Sequence, residues 1–394
     1  MNIAILGLGT VGTGIVKIIE GANPMSMTAD LHISHIFVRP EKVAQDDSDK
    51  LTSDYDAILN DDSVETVVEV LGGIEPAHTM IKQALQNHKN VVTANKAVVA
   101  RYMEEFKQVA KENNVQFRFE ASVGGGIPWI VNLERGLRID AVDSVHGIFN
   151  GTSNFILDQM TKTGASFESV LKEAQDLGYA EADPSADIDG YDIENKLCIS
   201  VDVAYDTLVH PGENLPKFGI RTIEAQDIAH FKDLGLVAKL IGRSELSGDH
   251  FSYVIEPVLY QQGVIEASIN DNFNYASFHG ESIGDLGFIG QGAGMMPTGH
   301  AVVQDILDIN GQVKHLIRTL EKQFTIDNQF DKGDYIVRTT SDQFDSLTSN
   351  WNVTTDGKYK TVSDIDAASM HSIMKRVLAS DDTAFMARVS GGAE

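Results

Sequence analysis

Three glycines, two lysines and a crowd of carboxylates are the residues of this chain whose types and spacing could do chemistry. Gly7, Gly9 and Gly12 spell G-x-G-x-x-G directly after the apolar run Asn2–Leu6. Apolar Val11, Ile15, Val16, Ile18 and Ile19 then recur at helical spacing, and Gly21 is a stop signal. In a strand–turn–helix setting each glycine has a physical task. Gly7 permits the tight turn, Gly9 lets a pyrophosphate approach the backbone, and Gly12 allows close helix–strand packing. The N–H groups that open the helix, around Thr10 and Val11, face the anion. The chemistry this predicts is binding of a nicotinamide dinucleotide. At the end of the second apparent strand, HIFVRP, Arg39 stands where an NAD-selective site usually carries an acid. A guanidinium suits a 2′-phosphate, so NADP is the expected preference, with NAD also usable.

The lysines point to proton transfer. VVTANKA reads as a buried strand ending in a cation, Lys96, and the carboxyl ends of such strands face the ligand crevice in open α/β sheets. Further on, GYAEADPSADIDGYDIENK spans Gly178 to Lys196. If a helix begins near Gly190, Asp192 and Lys196 share a face at i, i+4. An ordinary exposed pair of that kind contributes only about 0.3–0.5 kcal/mol. Here Glu181, Asp183, Asp187, Asp189 and Asp192 all crowd the approach to one lysine. Acids that dense could hold a substrate ammonium while the lysine acts on its oxygen.

The elements that must position these groups alternate. Apparent strands at Asn2–Leu6, Leu31–Val38, Thr66–Leu71, 91–96 and 115–121 are separated by helical patterns near Thr10–Glu20, Asp54–Leu59, Pro76–Asn87 and Val98–Asn113. Continuously apolar strands in that order indicate a parallel sheet covered on both faces, a Rossmann-type α/β fold. From Ser144 the pattern changes to helices near 152–163, 167–177 and 191–206 and longer strands at 236–244, 251–260 and 272–279, an α+β substrate domain. The helix containing AVVQDILDIN looks suited to pack back on the first domain. The tail after Asp331 reads β-α-β-α-β. The expected division is therefore residues 1–130, completed by about 289–325, then 131–288, then a small module at 331–394.

Composition narrows the partners. With 57 acidic against 31 basic side chains the formal net charge is −26, which repels phosphate backbones, so nucleic acid is not an expected partner. No apolar run of 18 residues or charged leader is evident, and the first strand opens at Asn2, so no membrane is expected and the expectation is a cytoplasmic protein. One cysteine, Cys198, rules out an intrachain disulfide and any multi-thiolate metal site, and its apolar setting reads as a buried small hydrophobe.

Taken in order, the N-terminal glycines, TANKA, EASVGGGIP (Glu120 to Pro128), NGTSNFIL (Asn150 to Leu157), GYAEADP…D…GYD…K and GFIGQGAGMMPT resemble homoserine dehydrogenase from Met1 to about Asn310. The resemblance implies NAD(P)-dependent hydride transfer between L-homoserine and L-aspartate 4-semialdehyde, in threonine and methionine biosynthesis. By position it implies that Glu181 and Asp192 hold the substrate, that Lys196 is the general acid/base, and that Lys96 lies near the reacting oxygen and the nicotinamide. It implies a monovalent cation, Na+ or K+, on Glu120 and the carbonyls of Val123, Gly125 and Ile127, and a homodimer or homotetramer. Oxygen ligands suit a hard cation.

The chemistry is coherent with that assignment. A protonated lysine can stabilise and protonate the oxygen on which charge develops as the aldehyde is reduced. In the reverse direction it must be neutral, so its usual pKa of about 10.4 has to fall. A second lysine would lower it and neighbouring carboxylates would oppose that, and the sequence leaves the balance open. Two rival readings are a cysteine-dependent semialdehyde dehydrogenase and a non-catalytic dinucleotide-binding redox sensor. The first needs a reactive thiol, yet Cys198 lies about 200° around the helix from Lys196. The second needs neither lysine nor the acidic cluster. The tail resembles a degenerate, shortened ACT-type module, because DYIVRTTSDQFDSL lacks the Pro-Gly turn that family places after the first strand, so feedback inhibition is not expected.

Overall fold

The structure, a computed structural model, describes residues 1–22, 25–45, 48–212, 215–314 and 324–391. Along the first part of the chain run β1 (Asn2–Leu6), α1 (Thr10–Glu20), β2 (His32–Phe37), α2 (Pro40–Val43), β3 (Leu51–Thr52), α3 (Tyr55–Leu59), β4 (Thr66–Glu69), α4 (Ala77–Gln86), β5 (Asn90–Thr93), α5 (Lys96–Glu112), β6 (Phe117–Arg118) and α6 (Trp129–Gly136). Next come β7 (Val142–Ile148), α7 (Gly151–Thr163), α8 (Phe167–Asp176), α9 (Ser185–Ile188), α10 (Tyr191–Tyr205), α11 (Ala225–Asp233), β8 (Leu236–Ser247), β9 (His250–Phe251), β10 (Val254–Gln261), β11 (Phe273–Gly280), β12 (Gly284–Gln291) and α12 (Met295–Asn310). The tail adds β13 (Thr325–Ile326), β14 (Lys332–Arg338), α13 (Phe344–Leu347), β15 (Asn352–Asp356), β16 (Tyr359–Asp366), α14 (Ala367–Val377) and β17 (Phe385–Val389). Two compact units emerge. One comprises Met1–Ile139, Cys198–Pro211 and Gly290–Thr319, and the other Asp140–Leu197, Gly212–Ile289 and Leu320–Glu394.

The first unit is built on a six-stranded sheet in the order β3-β2-β1-β4-β5-β6, every pair parallel. Its α/β character follows from apolar runs with no polar face, such as Ile3, Ala4, Ile5 and Leu6, all with no exposure. The order reverses direction between β1 and β4, the crevice where such sheets bind dinucleotides. Helix α12 returns from far along the chain to close this core, placing Val302, Val303 and Ile306 against Ile3, Ile15 and Ile19. The approach is tight because glycine allows it. A Cβ on Gly14 of α1 would sit 2.2 Å from the Met295 carbonyl oxygen.

Two local differences from the sequence pattern matter for function. The fifth strand stops at Thr93, and Lys96 is the first residue of α5 rather than the end of a strand. The reason is Asn95, whose side-chain oxygen accepts from the Val98 N–H and caps a helix that opens two residues before Val98. The sixth strand is only Phe117–Arg118, because the chain turns into a short 3-10 segment at Glu120–Ser122.

The second unit carries an eleven-stranded sheet in the order β12-β11-β7-β8-β10-β17-β14-β16-β15, with β9 and β13 off the path. The pairs β7–β11, β7–β8, β8–β9, β8–β10, β14–β16, β14–β17 and β15–β16 are antiparallel, and β10–β17 and β13–β9 are parallel. Helix α10 lies close on β8 because Gly242 of that strand carries no side chain, and a Cβ there would meet Ile193 at 2.6 Å and Leu197 at 3.4 Å. The tail is continuous with this sheet through Val258↔Arg388 and Leu259↔Val389. Its order β14-α13-β15-β16-α14-β17, with strands arranged β17-β14-β16-β15, is a split βαβ arrangement. Strand β15, which the sequence pattern did not reveal, forms a hairpin with β16 around Gly357 and Lys358. Among the described residues, no helix is long and apolar enough to cross a membrane.

Candidate active site

The glycine loop of the first unit has the geometry its three residues imply. Gly7 adopts φ +109°, and a Cβ there would press on the Val70 carbonyl oxygen at 2.9 Å. A Cβ on Gly12 would lie 2.1 Å from the Gly7 carbonyl oxygen. At Gly9, by contrast, a Cβ would meet nothing within 4 Å. Gly9 is also the N-cap of α1, so no side chain caps that helix, and no acid occupies its first turn. Thr10 and Val11 thus open a helix whose positive end is turned to an anion.

Arg39 is exposed and occupies the N-cap position of the short α2. A second cation, unremarked in the sequence pattern, joins the loop: the Lys42 Nζ donates to the Leu8 carbonyl at 3.0 Å. Only the fold could reveal it, since the two residues are 34 apart.

Behind the loop, Glu69 ends β4 fully buried and ties two crevice loops together. It accepts from Thr93 Oγ1 at 2.6 Å, from the Leu71 N–H at 2.7 Å and from Asn95 Nδ2 at 3.4 Å. Asn95 Nδ2 also donates to the Gly73 carbonyl at 2.7 Å. Burial pushes the Glu69 carboxyl up, against the pull of these donors. Lys96 follows directly from this clamp, so its backbone is fixed at the positive end of α5, an unfavourable place for a cation that an anionic ligand would relieve.

In the second unit, helix α10 begins at Tyr191 and sets Asp192 and Lys196 one turn apart. Lys196 Nζ donates to Asp192 Oδ2 at 2.8 Å and to the Phe149 carbonyl at 2.6 Å. Both side chains are under a tenth exposed. Burial removes this pair from the class of surface helix pairs: separating one partner would leave an uncompensated charge, at a cost of about 3–5 kcal/mol.

The organiser is Asn150, which the sequence pattern quoted only within a motif. Its Oδ1 accepts from the Ser153 N–H and caps α7, while its Nδ2 donates to Asp187 Oδ1 at 2.7 Å and to Asp192 Oδ2 at 2.9 Å. Of the five clustered acids, Asp187 and Asp192 therefore meet around Asn150. Asp189 pairs with Arg221 at 2.6 Å, and Asp183 accepts from the Ser185 N–H and hydroxyl. Glu181 is exposed on the loop before α9, its backbone carbonyl accepting from Gln175.

Glu120 is buried, and its two oxygens accept from the Ile130 and Val131 N–H groups at 2.9 and 2.8 Å. It therefore caps α6 from a distance. Burial pushes its carboxyl up to about 7 despite those donors. Gly125 approaches Gly292 so closely that a Cβ would fall 2.4 Å from its carbonyl carbon, and the Ile127 carbonyl accepts from the Trp129 N–H. Carboxylate and carbonyl oxygens of this loop, which kinks at Gly124 and Gly125 with positive φ, are of the chemical type a hard monovalent cation takes, and such a charge would favour the ionised form of Glu120. Among the described residues, no group of three or more His, Cys, Asp or Glu could hold a metal ion. Cys198 is fully buried, which removes the exposed thiolate that cysteine-based aldehyde oxidation requires.

Comparison with known proteins gives a consistent result. Family models described as "Homoserine dehydrogenase, NAD binding domain" and "Homoserine dehydrogenase" match residues 7–120 and 128–307. The homoserine dehydrogenase of Synechocystis is 40% identical over 320 residues, 79% of this chain and 73% of that protein. The solved homoserine dehydrogenase of Thiobacillus denitrificans superimposes with a TM-score of 0.86 at 29% identity, covering 99% of this chain and 98% of the other. A hyperthermophilic archaeal homoserine dehydrogenase in complex with NADPH has a TM-score of 0.68 at 25% identity, covering 80% of this chain and 99% of that one.

Proposed function

This chain belongs to the homoserine dehydrogenase family, and we propose that Lys196 and Lys96 carry the proton chemistry of its reaction. The protein is an NAD(P)-dependent oxidoreductase of amino-acid biosynthesis acting on a CH–OH group, with L-homoserine and L-aspartate 4-semialdehyde as the substrate pair. When bound, the nicotinamide cofactor supplies or accepts the hydride.

The chain's own residues do the rest. The ammonium of Lys196 donates a proton to the aldehyde oxygen as charge develops there, and takes it back when the alcohol is oxidised. Asp192 and the Phe149 carbonyl hold that ammonium in one direction. Glu181 and Asp192 grip the substrate amino group, and Lys96 lies beside the reacting oxygen and the nicotinamide. The observation that carries this reading is the buried Asp192–Lys196 pair, since a lysine this enclosed is held for chemistry more readily than for surface solubility.

Gly7, Gly9, Thr10, Val11 and Gly12 would receive the pyrophosphate. Arg39, joined by Lys42 at the glycine loop, favours NADP over NAD by meeting the 2′-phosphate with positive charge, a preference in keeping with the NADPH of the archaeal relative. Glu120 and the Val123, Gly125 and Ile127 carbonyls would hold Na+ or K+, which would fix the loop between Glu120 and α6. In this reading residues 1–130, with about 289–325, serve the cofactor, 131–288 serve substrate and homodimer or homotetramer contacts, and 331–394 is an ACT-like module that has lost feedback control. The protein works in the cytoplasm.

Steady-state oxidation of NADPH with aspartate 4-semialdehyde tests the whole reading, with Lys196→Ala as its control. The expected result is robust turnover in the parent and loss of turnover in the variant with NADPH affinity kept. Near-normal turnover by Lys196→Ala would remove Lys196 from its role.

A further inference from the structure

We propose that Asn274, on β11, is a positioning residue that locks the Phe149 carbonyl and through it aims the ammonium of Lys196. The proposal rests on Lys196 being the proton donor. The Phe149 carbonyl accepts twice, from Lys196 Nζ at 2.6 Å and from Asn274 Nδ2 at 2.9 Å. A carbonyl oxygen offers two lone-pair directions, so these two donors fill it and fix its orientation. Without the asparagine, the Phe149 carbonyl loses one of the two donors that orient it, and the anchor it gives the lysine beside Asp192 loosens.

The placement is set by sheet register. Tyr275 pairs with Ile148, so the antiparallel ladder brings Asn274 opposite Phe149 although the two are 125 residues apart. The turn that delivers Asn274 is itself pinned. Asn154 Nδ2 donates to the carbonyls of Ile269, Asp271 and Phe273, and Lys239 Nζ donates to Asn154 Oδ1 at 2.9 Å. Gly151 completes the seat, since a Cβ there would lie 2.5 Å from the Asn272 carbonyl oxygen and 3.3 Å from Asn274 Oδ1.

Asn274 is 1% exposed, and its Oδ1 is buried with no hydrogen-bond partner among the described residues. A buried acceptor left unbonded is costly, and leucine, of similar shape, would escape that cost. What the amide gives in return is its donor to Phe149. This is the signature of a side chain held for geometry and not for stability.

The test compares Asn274→Leu, Asn274→Asp and Lys196→Ala in the full-length protein. Asn274→Leu removes the donor with the shape nearly kept; Asn274→Asp exchanges the amide for a carboxyl that, when ionised, cannot donate, so its kcat is read at a pH where the lysine pair is formed and the carboxyl is charged. The expected result is a fall in kcat of about tenfold, the effect of one lost hydrogen bond, with KM for aspartate 4-semialdehyde and for NADPH within about twofold of the parent. The solvent deuterium isotope effect on kcat should rise, because proton delivery becomes slower relative to the other steps. Neither substitution should matter further in the Lys196→Ala background, since removing the lysine removes what Asn274 aims. If Lys196→Ala is inactive while both Asn274 variants, folded by circular dichroism, keep kcat within twofold, the positioning role is wrong and the lysine assignment stands. If Lys196→Ala is active, the lysine assignment itself fails. Should Asn274→Leu not fold, Asn274→Ala carries the same comparison, since it too removes the donor and adds no charge. A uniform rise in both KM values with no change in the isotope effect would mark Asn274 as merely structural.

Discussion

The two units build their sites from different material. In the first, the anion-binding loop and the seat of Glu120 are made of backbone: glycines that permit contact, a helix end without a side-chain cap, and peptide N–H groups on a buried carboxylate. In the second, Lys196 is held by a collection of groups gathered from α7, α9, α10 and β11 and from the Phe149 carbonyl. A backbone-built site tolerates side-chain changes but not an added Cβ. A side-chain-built site fails one residue at a time. The same contrast separates two buried carboxylates: Asp192 has a lysine partner, whereas Glu120 has backbone N–H groups and is pushed up to about 7 by burial.

Several substitutions would break or sharpen that contrast. The largest effect is expected on the side-chain side. Lys196→Ala should lower kcat by about a thousandfold, roughly 4 kcal/mol of transition-state stabilisation, with the NADPH dissociation constant changed less than threefold in a fluorescence titration.

Glu120 comes next, through pH. Its folded carboxyl sits at about 7 against an ordinary 4.5, so the folded state binds the proton more tightly than the unfolded chain does. Its contribution is therefore most favourable below pH 4.5 and falls by about 3 kcal/mol as the pH rises to 7. Denaturant unfolding in a buffer free of Na+ and K+ should show this slope in the parent and lose it in Glu120→Gln. Adding K+ or Na+ at pH 8 should recover stability in the parent alone, and equal responses in the two proteins would count against a cation there.

The glycines give a paired test of the backbone-built site. Gly12→Ala should cost about 2–3 kcal/mol of stability and weaken NADPH binding as well, because its Cβ meets the Gly7 carbonyl oxygen. Gly9→Ala meets nothing in the protein, so thermal unfolding should be unchanged while NADPH binding weakens. Stability lost equally in both would mean that Gly9 serves packing and not the ligand.

The smallest change concerns cofactor choice. Arg39→Asp should shift the ratio of kcat/KM for NADPH over NADH by about tenfold toward NADH, roughly 1.4 kcal/mol, and Lys42→Ala by less. An unchanged ratio in both would place the 2′-phosphate elsewhere.

The same contrast explains what could be read in advance. Gly7, Gly9, Gly12 and the alternation of Asn2–Leu6 with Thr10–Glu20 act within a few residues, so local pattern was enough to give the parallel sheet and the loop. The Asp192–Lys196 spacing was legible for the same reason, as both lie on one helix. Strand β15 was missed because Asn352–Asp356 is mostly exposed and polar, without the apolar alternation that marks a half-buried strand. The early start of α5 is not legible because VVTANK continues an apolar strand pattern up to Lys96, and only the bond from the Val98 N–H to the Asn95 side chain marks the cap.

What the sequence alone determined is everything that depends on neighbours along the chain: a dinucleotide loop, a helix carrying an acid and a lysine one turn apart, a buried lone cysteine, and motifs in an order specific enough to imply the family. Only the tertiary structure decided that Lys42 reaches Leu8, that Asn150 gathers Asp187 and Asp192, and that Asn274 meets Lys196 on one carbonyl. It also decided that the tail shares a sheet with the middle of the chain, where Glu256 of β10 binds Arg243 of β8 and His371 of α14. The physical reason is range. Helical and turn preferences act over three or four residues, whereas hydrogen bonds and ion pairs between distant segments exist only after the sheet register has brought them within 3 Å.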